Sequence, residues 1–287
     1  MHQARWALAR QYARLYGMIK DRTGRNLPGL GRMLRLVRDG RAFESRGLTF
    51  AFDPQLATAY GRLVAGDWNE PETHTFLGRV LDSVGAPVQF VDVGANVGEV
   101  LLDVARHERV VQAIGYEPDP RTAANLRESV RLSGAGNVEV RERAVADGRA
   151  AAFSVNRDFP VLSRLDLSGA PGDGDAAPTA RLDDELAPGD AELIVLIDAE
   201  GAELLVLTGM RSILAARRPL IIFEFNELGQ RTYGLDAVRE LLGSDYRIWR
   251  LRIDGTLDRD YANAWNCVAI PAGGVFDEVT RPLVRDA

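Results

Sequence analysis

One cysteine, Cys267, stands in a chain of 287 residues, which excludes an internal disulfide framework. Lysine is nearly absent too: of 35 basic residues only Lys20 is lysine, a bias that fits a GC-rich coding sequence rather than a function. Histidine occurs three times, so chemistry built on clustered imidazoles has little to draw on. No apolar run reaches the roughly eighteen residues that a membrane span needs, and the first residues lack the apolar core of a secretory signal. The expectation is a cytoplasmic enzyme. A hydrophobic content of 46% is ordinary for a packed globular core, in one large domain or two small ones.

What is present is organised around residues 89–100, where Phe90-Val91-Asp92-Val93 runs into Gly94-Ala95-Asn96-Val97-Gly98. Apolar residues at helical spacing resume at Val100, Leu101 and Val104, so the stretch reads as strand, tight loop and helix. Gly94 and Gly98 permit positive φ and the approach of a ligand, and Asn96 tolerates the same geometry. A dinucleotide fingerprint needs glycine at 96 and 99, where Asn96 and Glu99 stand. The pattern acid-x-Gly-x-Gly-x-Gly of S-adenosylmethionine sites is met by Asp92, Gly94 and Gly98 with one substitution, at Asn96. A second apolar run, 110–116, ends on Glu117, where a carboxylate can hold both hydroxyls of a ribose. A solvated acid before Pro118 is the plainer alternative.

Residues 1–41 are read as a separate basic, amphipathic helical arm, and 42–287 as the main domain. The arm carries a net charge of +8 and leaves −14 for the remainder. Apolar spacing from Trp6 to Ile19 and from Leu30 to Val37 predicts two helices joined by a turn at Gly24 to Gly29. Such an arm packs on its own domain, joins a second subunit in a homo-oligomer, or touches an anionic membrane surface peripherally. Nucleic acid is not expected as a partner, because the acidic body repels phosphates.

Further along, 42–52 predicts a hairpin, and Glu70-Pro71 starts a helix whose first turn overhangs the glycine loop. A helix over 121–132 and a strand over 137–145 follow. Asp147, beyond that strand, would flank an adenine, or simply occupy a turn before Gly148. A strand over 151–155 precedes a Gly/Pro/Asp-rich loop at about 166–179, which serves as a mobile lid or is a tolerated insertion. Residues 193–197 form a near-continuous apolar run, as strands buried on both faces in parallel sheets do, and deliver Asp198 and Glu200 to the ligand end, before a helix in which Glu203, Leu204, Leu207 and Ile213 fall. Residues 219–223 repeat the device with Glu224. Segments 246–253 and 266–270 are expected to close the sheet as an antiparallel pair. The element order predicts an α/β fold: a Rossmann-like, doubly wound, mainly parallel sheet behind the N-terminal helical arm.

Taken together, Phe90-Val-Asp-Val-Gly-Ala-Asn-Val-Gly98, Tyr116-Glu-Pro-Asp-Pro120, Leu182-Asp-Asp-Glu-Leu186 and Ile197-Asp-Ala-Glu-Gly-Ala-Glu203 with Pro219-Leu-Ile-Ile-Phe-Glu224 resemble the FkbM-type S-adenosylmethionine-dependent methyltransferases. The resemblance runs over about residues 66–228. It implies a class I methyltransferase fold, S-adenosylmethionine as cofactor, and methyl transfer to a hydroxyl of a sugar or secondary metabolite. The family often carries lysine two positions before the strand-end aspartate, where this chain has Leu196.

On this reading Glu70, Asp92, Gly94, Asn96, Gly98, Glu117 and Asp147 bind the cofactor, while Asp198, Glu200 and Glu224, with His74, are the candidate catalytic groups. Carboxylates from adjacent strand ends can remove a hydroxyl proton or share a divalent metal, and the sequence leaves metal dependence open. Loop anchoring is the alternative role for Glu200 and Glu224, and a structural role the alternative for His74. The competing functions are a nucleotide-dependent oxidoreductase or epimerase, a catalytically silent protein of the same fold, and methylation of nitrogen. The last is weakened because no Asn- or Asp-Pro-Pro-aromatic tetrapeptide occurs.

Overall fold

A computed structural model describes residues 2–23, 34, 42–56, 59–148, 152–154, 164–166 and 179–285. The expected turn at 24–29, almost all of the second arm helix, and nearly all of the loop at 166–179 lie outside the described residues. Helix α1 (His2–Thr23) leads to a hairpin of β1 (Ala42–Ser45) and β2 (Leu48–Ala51), then to α2 (Gly61–Ala65) and α3 (Pro71–Ser83). The first half of the main layer is β3 (Val88–Val93), α4 (Glu99–Ala105), β4 (Val110–Tyr116), α5 (Pro120–Ser133) and β5 (Val138–Arg141). Short strands β6 (Ala144–Val145), β7 (Ala152–Ser154), β8 (Arg164–Asp166) and β9 (Thr179–Ala180) follow, with one helical turn, α6 (Leu182–Glu185). The second half is β10 (Glu192–Ile197), α7 (Glu203–Thr208), α8 (Arg211–Arg217), β11 (Leu220–Glu224), α9 (Glu227–Thr232) and α10 (Leu235–Leu242). It ends with β12 (Tyr246–Leu251), β13 (Leu257–Asp258), β14 (Asn266–Pro271) and α11 (Val275–Thr280).

Eight strands form one sheet in the order β5-β4-β3-β10-β11-β14-β12-β13. The first five are parallel to one another, and β14, β12 and β13 continue the sheet antiparallel. Both faces are covered, as continuous apolar runs require. Along β10, Leu193, Val195 and Ile197 pack in one core beneath α7, α8 and α10, while Ile194 and Leu196 pack in the other beside α3, α4 and α11. Chain order reverses between β3 and β10, the switch point where open α/β sheets bind ligands.

The described part of the arm packs on the domain. Trp6, Ala9 and Ala13 of α1 join Phe43, Phe50, Phe52 and Tyr60 in a third core, whose aromatic centroids lie 5.1–6.2 Å apart. Hydrogen bonds from Ser133 Oγ to the Thr49 carbonyl (2.9 Å) and from the Ala51 N–H to Ser129 Oγ (3.0 Å) seat the hairpin on α5. No described helix is long and apolar enough to cross a membrane.

Two expectations change in detail. The strand expected over 137–145 stops at Arg141, and Ala144–Val145 pairs instead with Thr179–Ala180, outside the main sheet. The single helix expected after 203 divides at Gly209, whose backbone packs so tightly on Ala146 that an added Cβ would lie 2.1 Å from the Ala146 carbonyl oxygen.

Candidate functional site

Register places the site. Val93 pairs with Tyr116 on one side and Ile197 on the other, and Ile197 pairs with Phe223. One residue further on, Glu117, Gly94, Asp198 and Glu224 therefore make a row along the carboxyl edge, completed by Asn266, the β14 partner of Glu224. Hydrogen bonds from the N–H groups of Gly94 to Tyr116 O and of Asp198 to Val93 O, both 2.9 Å, carry the ladder to that row.

Gly94, Asp198 and Glu224 of that row open into a cleft of about 830 Å³, while Glu117 and Asn266 stand outside its lining. Seven carboxylates line it, from Glu70, Glu72, Asp92, Glu99, Asp198, Glu200 and Glu224, and Arg62 is the one cationic side chain among the described residues that do so. Tyr16 of α1, Ile253 and Trp265 form an apolar part of the wall, and the last two are 72% and 55% exposed. The sequence reading missed this wall because its three members come from opposite ends of the chain.

The glycine loop has the backbone the sequence predicts, with φ of 89° at Gly94, 48° at Asn96 and 87° at Gly98. The reason for glycine differs from the expectation. A Cβ on Gly94 would sit 1.9 Å from the Asp198 carbonyl oxygen, and one on Gly98 would sit 2.3 Å from Leu126. Both glycines make room for neighbouring protein rather than for a ligand. Glu117 accepts from the Asn96 and Asp119 N–H groups, each at 2.9 Å, which leaves lone pairs on both oxygens for a diol.

Glu70, at the start of α3, overhangs the cleft as expected. Its Oε2 accepts from Thr73 Oγ1 (3.0 Å) and from Asn266 Nδ2 (2.9 Å), so the far edge of the sheet fixes it. His74 does not join the catalytic carboxylates. Its ring stacks on Trp68 at 4.0 Å and 5°, with Nδ1 2.6 Å from Asp103 Oδ2 and Nε2 3.3 Å from Glu99 Oε1. Burial works against its charged form, but the two carboxylates prevail and raise its pKa. Engaged by these two acids, His74 stands outside the lining of the cleft that holds Asp198, Glu200 and Glu224. Asp147 does not line the cleft, because the chain leaves the main sheet after Arg141.

Asp198, Glu200 and Glu224 do converge there. Glu200 has a φ of 51° and Gly201 of 96°, and this left-handed turn brings Glu203 back beneath Asp198. One carboxylate oxygen each of Asp198, Glu203 and Glu224 lies within 4.8 Å of the others. The sequence reading placed Glu203 only on the following helix. Its Oε1 accepts from the Ala199 and Gly201 N–H groups at 3.0 Å. Its Oε2, like Asp198 Oδ1, is buried without a hydrogen-bond partner among the described residues. The Tyr233 hydroxyl, which lies beside the Glu203 carboxylate, donates to the Glu224 carbonyl at 2.6 Å. Burial, reinforced by neighbouring acids, pushes the Asp198 carboxyl well above its ordinary range and Glu224 to about 8.

Asp92, on the strand beneath, is driven to about 8 by burial together with Glu70 and Glu117. The unfolded chain releases that proton near pH 4, whereas the folded chain keeps it to about 8. This group therefore costs no stability below about pH 4, and its destabilising effect grows as pH rises and is complete above about 8. The melting temperature is expected to fall between about pH 5 and 8, and Asp92→Asn to flatten that fall. Calorimetric scans across this range check it, and parallel wild-type and variant curves would refute the assignment.

The glycine loop at the switch point, the acidic strand ends and the reversed β14 together define a class I, S-adenosylmethionine-dependent methyltransferase fold. The chain belongs to the FkbM methyltransferase family: the model of the methyltransferase FkbM domain matches residues 92–248, more than half of its length. No curated protein matches the chain. Among solved structures it is similar to methyltransferase FkbM from Methylobacillus flagellatus KT, at 17% identity and a TM-score of 0.47, over 83% of this chain and 57% of that one. It is also similar to M. jannaschii TYW2 in complex with AdoMet, at 14% identity and a TM-score of 0.40, over 79% and 83%. A third is precorrin-6y C5,15-methyltransferase from Geobacter metallireducens GS-15, at 12% identity and 0.41, over 70% and 87%.

S-adenosylmethionine, the cofactor of this family, fits the residues present. Its sulfonium and ammonium are cations, and the cleft offers a concentration of carboxylates. Glu117 would hold its ribose diol, with Glu70 and Asp92 supplying negative charge near the loop.

Proposed function

We propose that the chain is an O-methyltransferase acting on a hydroxyl of a neutral or cationic small molecule, such as a sugar or secondary metabolite. The observation that carries this reading is the convergence of Asp198, Glu200 and Glu224 in the cleft over the glycine loop. When bound, S-adenosylmethionine supplies an electrophilic methyl group. What remains for the protein is to orient an acceptor oxygen and to receive its proton. Asp198 and Glu200 take those two roles, and Glu224 supports Asp198 from the next strand. Seven carboxylates against Arg62 disfavour phosphorylated acceptors and nucleic acid. The wall of Tyr16, Ile253 and Trp265 favours an acceptor with an apolar face.

The test is transfer of labelled methyl from S-adenosylmethionine to a panel of hydroxyl, amine and thiol compounds. Label on oxygen supports the reading, and label confined to nitrogen or sulfur overturns it. Glu117→Ala is expected to weaken S-adenosylmethionine binding by roughly ten- to a hundredfold, for the loss of hydrogen bonds to a charged acceptor worth about 1.5–3 kcal/mol. Unchanged affinity by calorimetry would remove Glu117 from the cofactor site.

A further inference from the structure

Two acids of this cleft, Asp198 and Glu224, meet a buried third, Glu203. Asp198, Glu203 and Glu224 come from the end of β10, the start of α7 and the end of β11, and their nearest oxygens lie within 4.8 Å of one another. Three like charges so close repel strongly where water is excluded. Glu203 is 0% exposed, and its Oε2 receives no hydrogen bond, nor does Asp198 Oδ1. An unpartnered buried oxygen is costly, and more so when charged. No described cation answers the cluster, since Arg62 is the one basic side chain on the cleft wall.

We propose that Asp198, Glu203 and Glu224 bind one divalent cation of the magnesium or manganese class at the floor of the cleft. An all-oxygen, carboxylate-rich donor set suits hard cations of this kind. Opposite ligands of an octahedral magnesium stand about 4.2 Å apart, so a cluster spanning under 4.8 Å closes on an ion with small side-chain rotations. Glu203 is fully buried and is not part of the cleft lining, which favours a small bare ion over a bulkier ammonium group. Glu203 is held in place, because its Oε1 is anchored by the Ala199 and Gly201 N–H groups while Oε2 is buried without a partner among the described residues.

This inference rests on the O-methyltransferase reading for its purpose. A cation there would take the acceptor hydroxyl as a ligand and lower its pKa. The proton then passes to Glu200, which stands outside the ligand set. Asp198 orients the acceptor through the ion.

Manganese binding to the full chain, followed by loss of the free-ion paramagnetic resonance signal in the presence of S-adenosylhomocysteine, tests the site directly. One equivalent is expected to bind, and magnesium to compete for it. Glu203→Gln keeps the Oε1 contacts while replacing the ligand oxygen, and is expected to weaken manganese binding by about tenfold or more, equivalent to roughly 1.4 kcal/mol. Glu224→Gln gives the same readout should Glu203→Gln fail to fold. Absence of saturable binding to the wild type, displacement of the ion by S-adenosylhomocysteine, or wild-type affinity in a folded variant overturns the proposal. Binding with no methylated hydroxyl would sink the O-methyl reading and leave the metal site standing. Chelator-insensitive O-methylation by a chain that binds no manganese would do the reverse.

Discussion

Gly94→Ala is expected to cost about 4 kcal/mol or more of stability, which places it in the exceptional tail of single substitutions. Gly94→Val should prevent accumulation of folded protein. Two causes add. The φ of 89° lies where L side chains are strained, by roughly 1–2 kcal/mol. The larger cause is contact: the new Cβ would lie 1.9 Å from the Asp198 carbonyl oxygen and 2.9 Å from its carbonyl carbon. Both atoms are backbone, so no rotamer change relieves the overlap. β3 and β10 would have to part at the switch point, and the loop and Asp198 would move with them. Gly134 separates the causes, for its φ of 65° has the same hand but nothing lies within 4 Å of its Cβ position. Gly134→Ala should cost only the conformational part, about 1–2 kcal/mol. For a chain of this size 1 kcal/mol corresponds to about 2–4 °C in melting temperature. A drop of roughly 8 °C or more at Gly94 against a few degrees at Gly134 is the expected contrast. Equal melting temperatures for the two alanine variants would remove the close-approach argument.

The parts of the fold that the sequence discloses are those in which a residue's own surroundings are uniform. A parallel strand buried on both faces leaves an unbroken run such as Leu193–Ile197, and the acid that ends it marks the edge where solvent and ligand begin. Asp198, Glu224 and the loop at 94–98 were legible for that reason, and so was the family. Contacts between distant segments leave no such trace. The departure of Ala144–Val145 from the main sheet depends on pairing with Thr179–Ala180, more than thirty residues on. The role of Glu203 depends on the left-handed turn at Glu200 and Gly201, which a helical reading of the following residues overlooks. A signal existed: Glu203 closes the same Asp-Ala-Glu-Gly-Ala-Glu block, and two acids already flank that turn. Glu99 and Asn69 are a clearer case. Glu99 accepts from the Asn69 N–H at 2.6 Å and faces His74, a network made only when α3 lies against α4. The surroundings of His74 are hidden on the same ground, for nothing beside it in sequence announces Asp103 and Glu99 at its ring nitrogens.

Asp198→Asn carries the largest expected functional effect: turnover should fall by about a hundredfold or more, while S-adenosylmethionine affinity changes by less than tenfold. The magnitude is that of a positioned proton-transfer or orienting group. Affinity should hold because the other six carboxylates that line the cleft remain, and because the amide is nearly isosteric. The fold should hold as well. Asp198 is half-buried, and desolvation of its carboxyl together with Glu224, Glu70, Glu200 and Glu203 raises its pKa well above the ordinary range, so a neutral side chain relieves repulsion rather than creating it. Unfolding of Asp198→Asn at pH 8 should therefore occur at or above the wild-type temperature. A loss of turnover in a protein at least as stable as the parent, with cofactor binding retained, cannot be ascribed to damage. Glu200→Gln distinguishes the two roles. If Glu200 takes the proton, its amide should depress turnover at every pH, with the KM for the acceptor little changed. Asp198→Asn should raise that KM as well, because it removes what orients the acceptor. Near-normal turnover in both variants, measured with labelled methyl donor on the same acceptor, would refute the assignment of chemistry to this edge of the sheet.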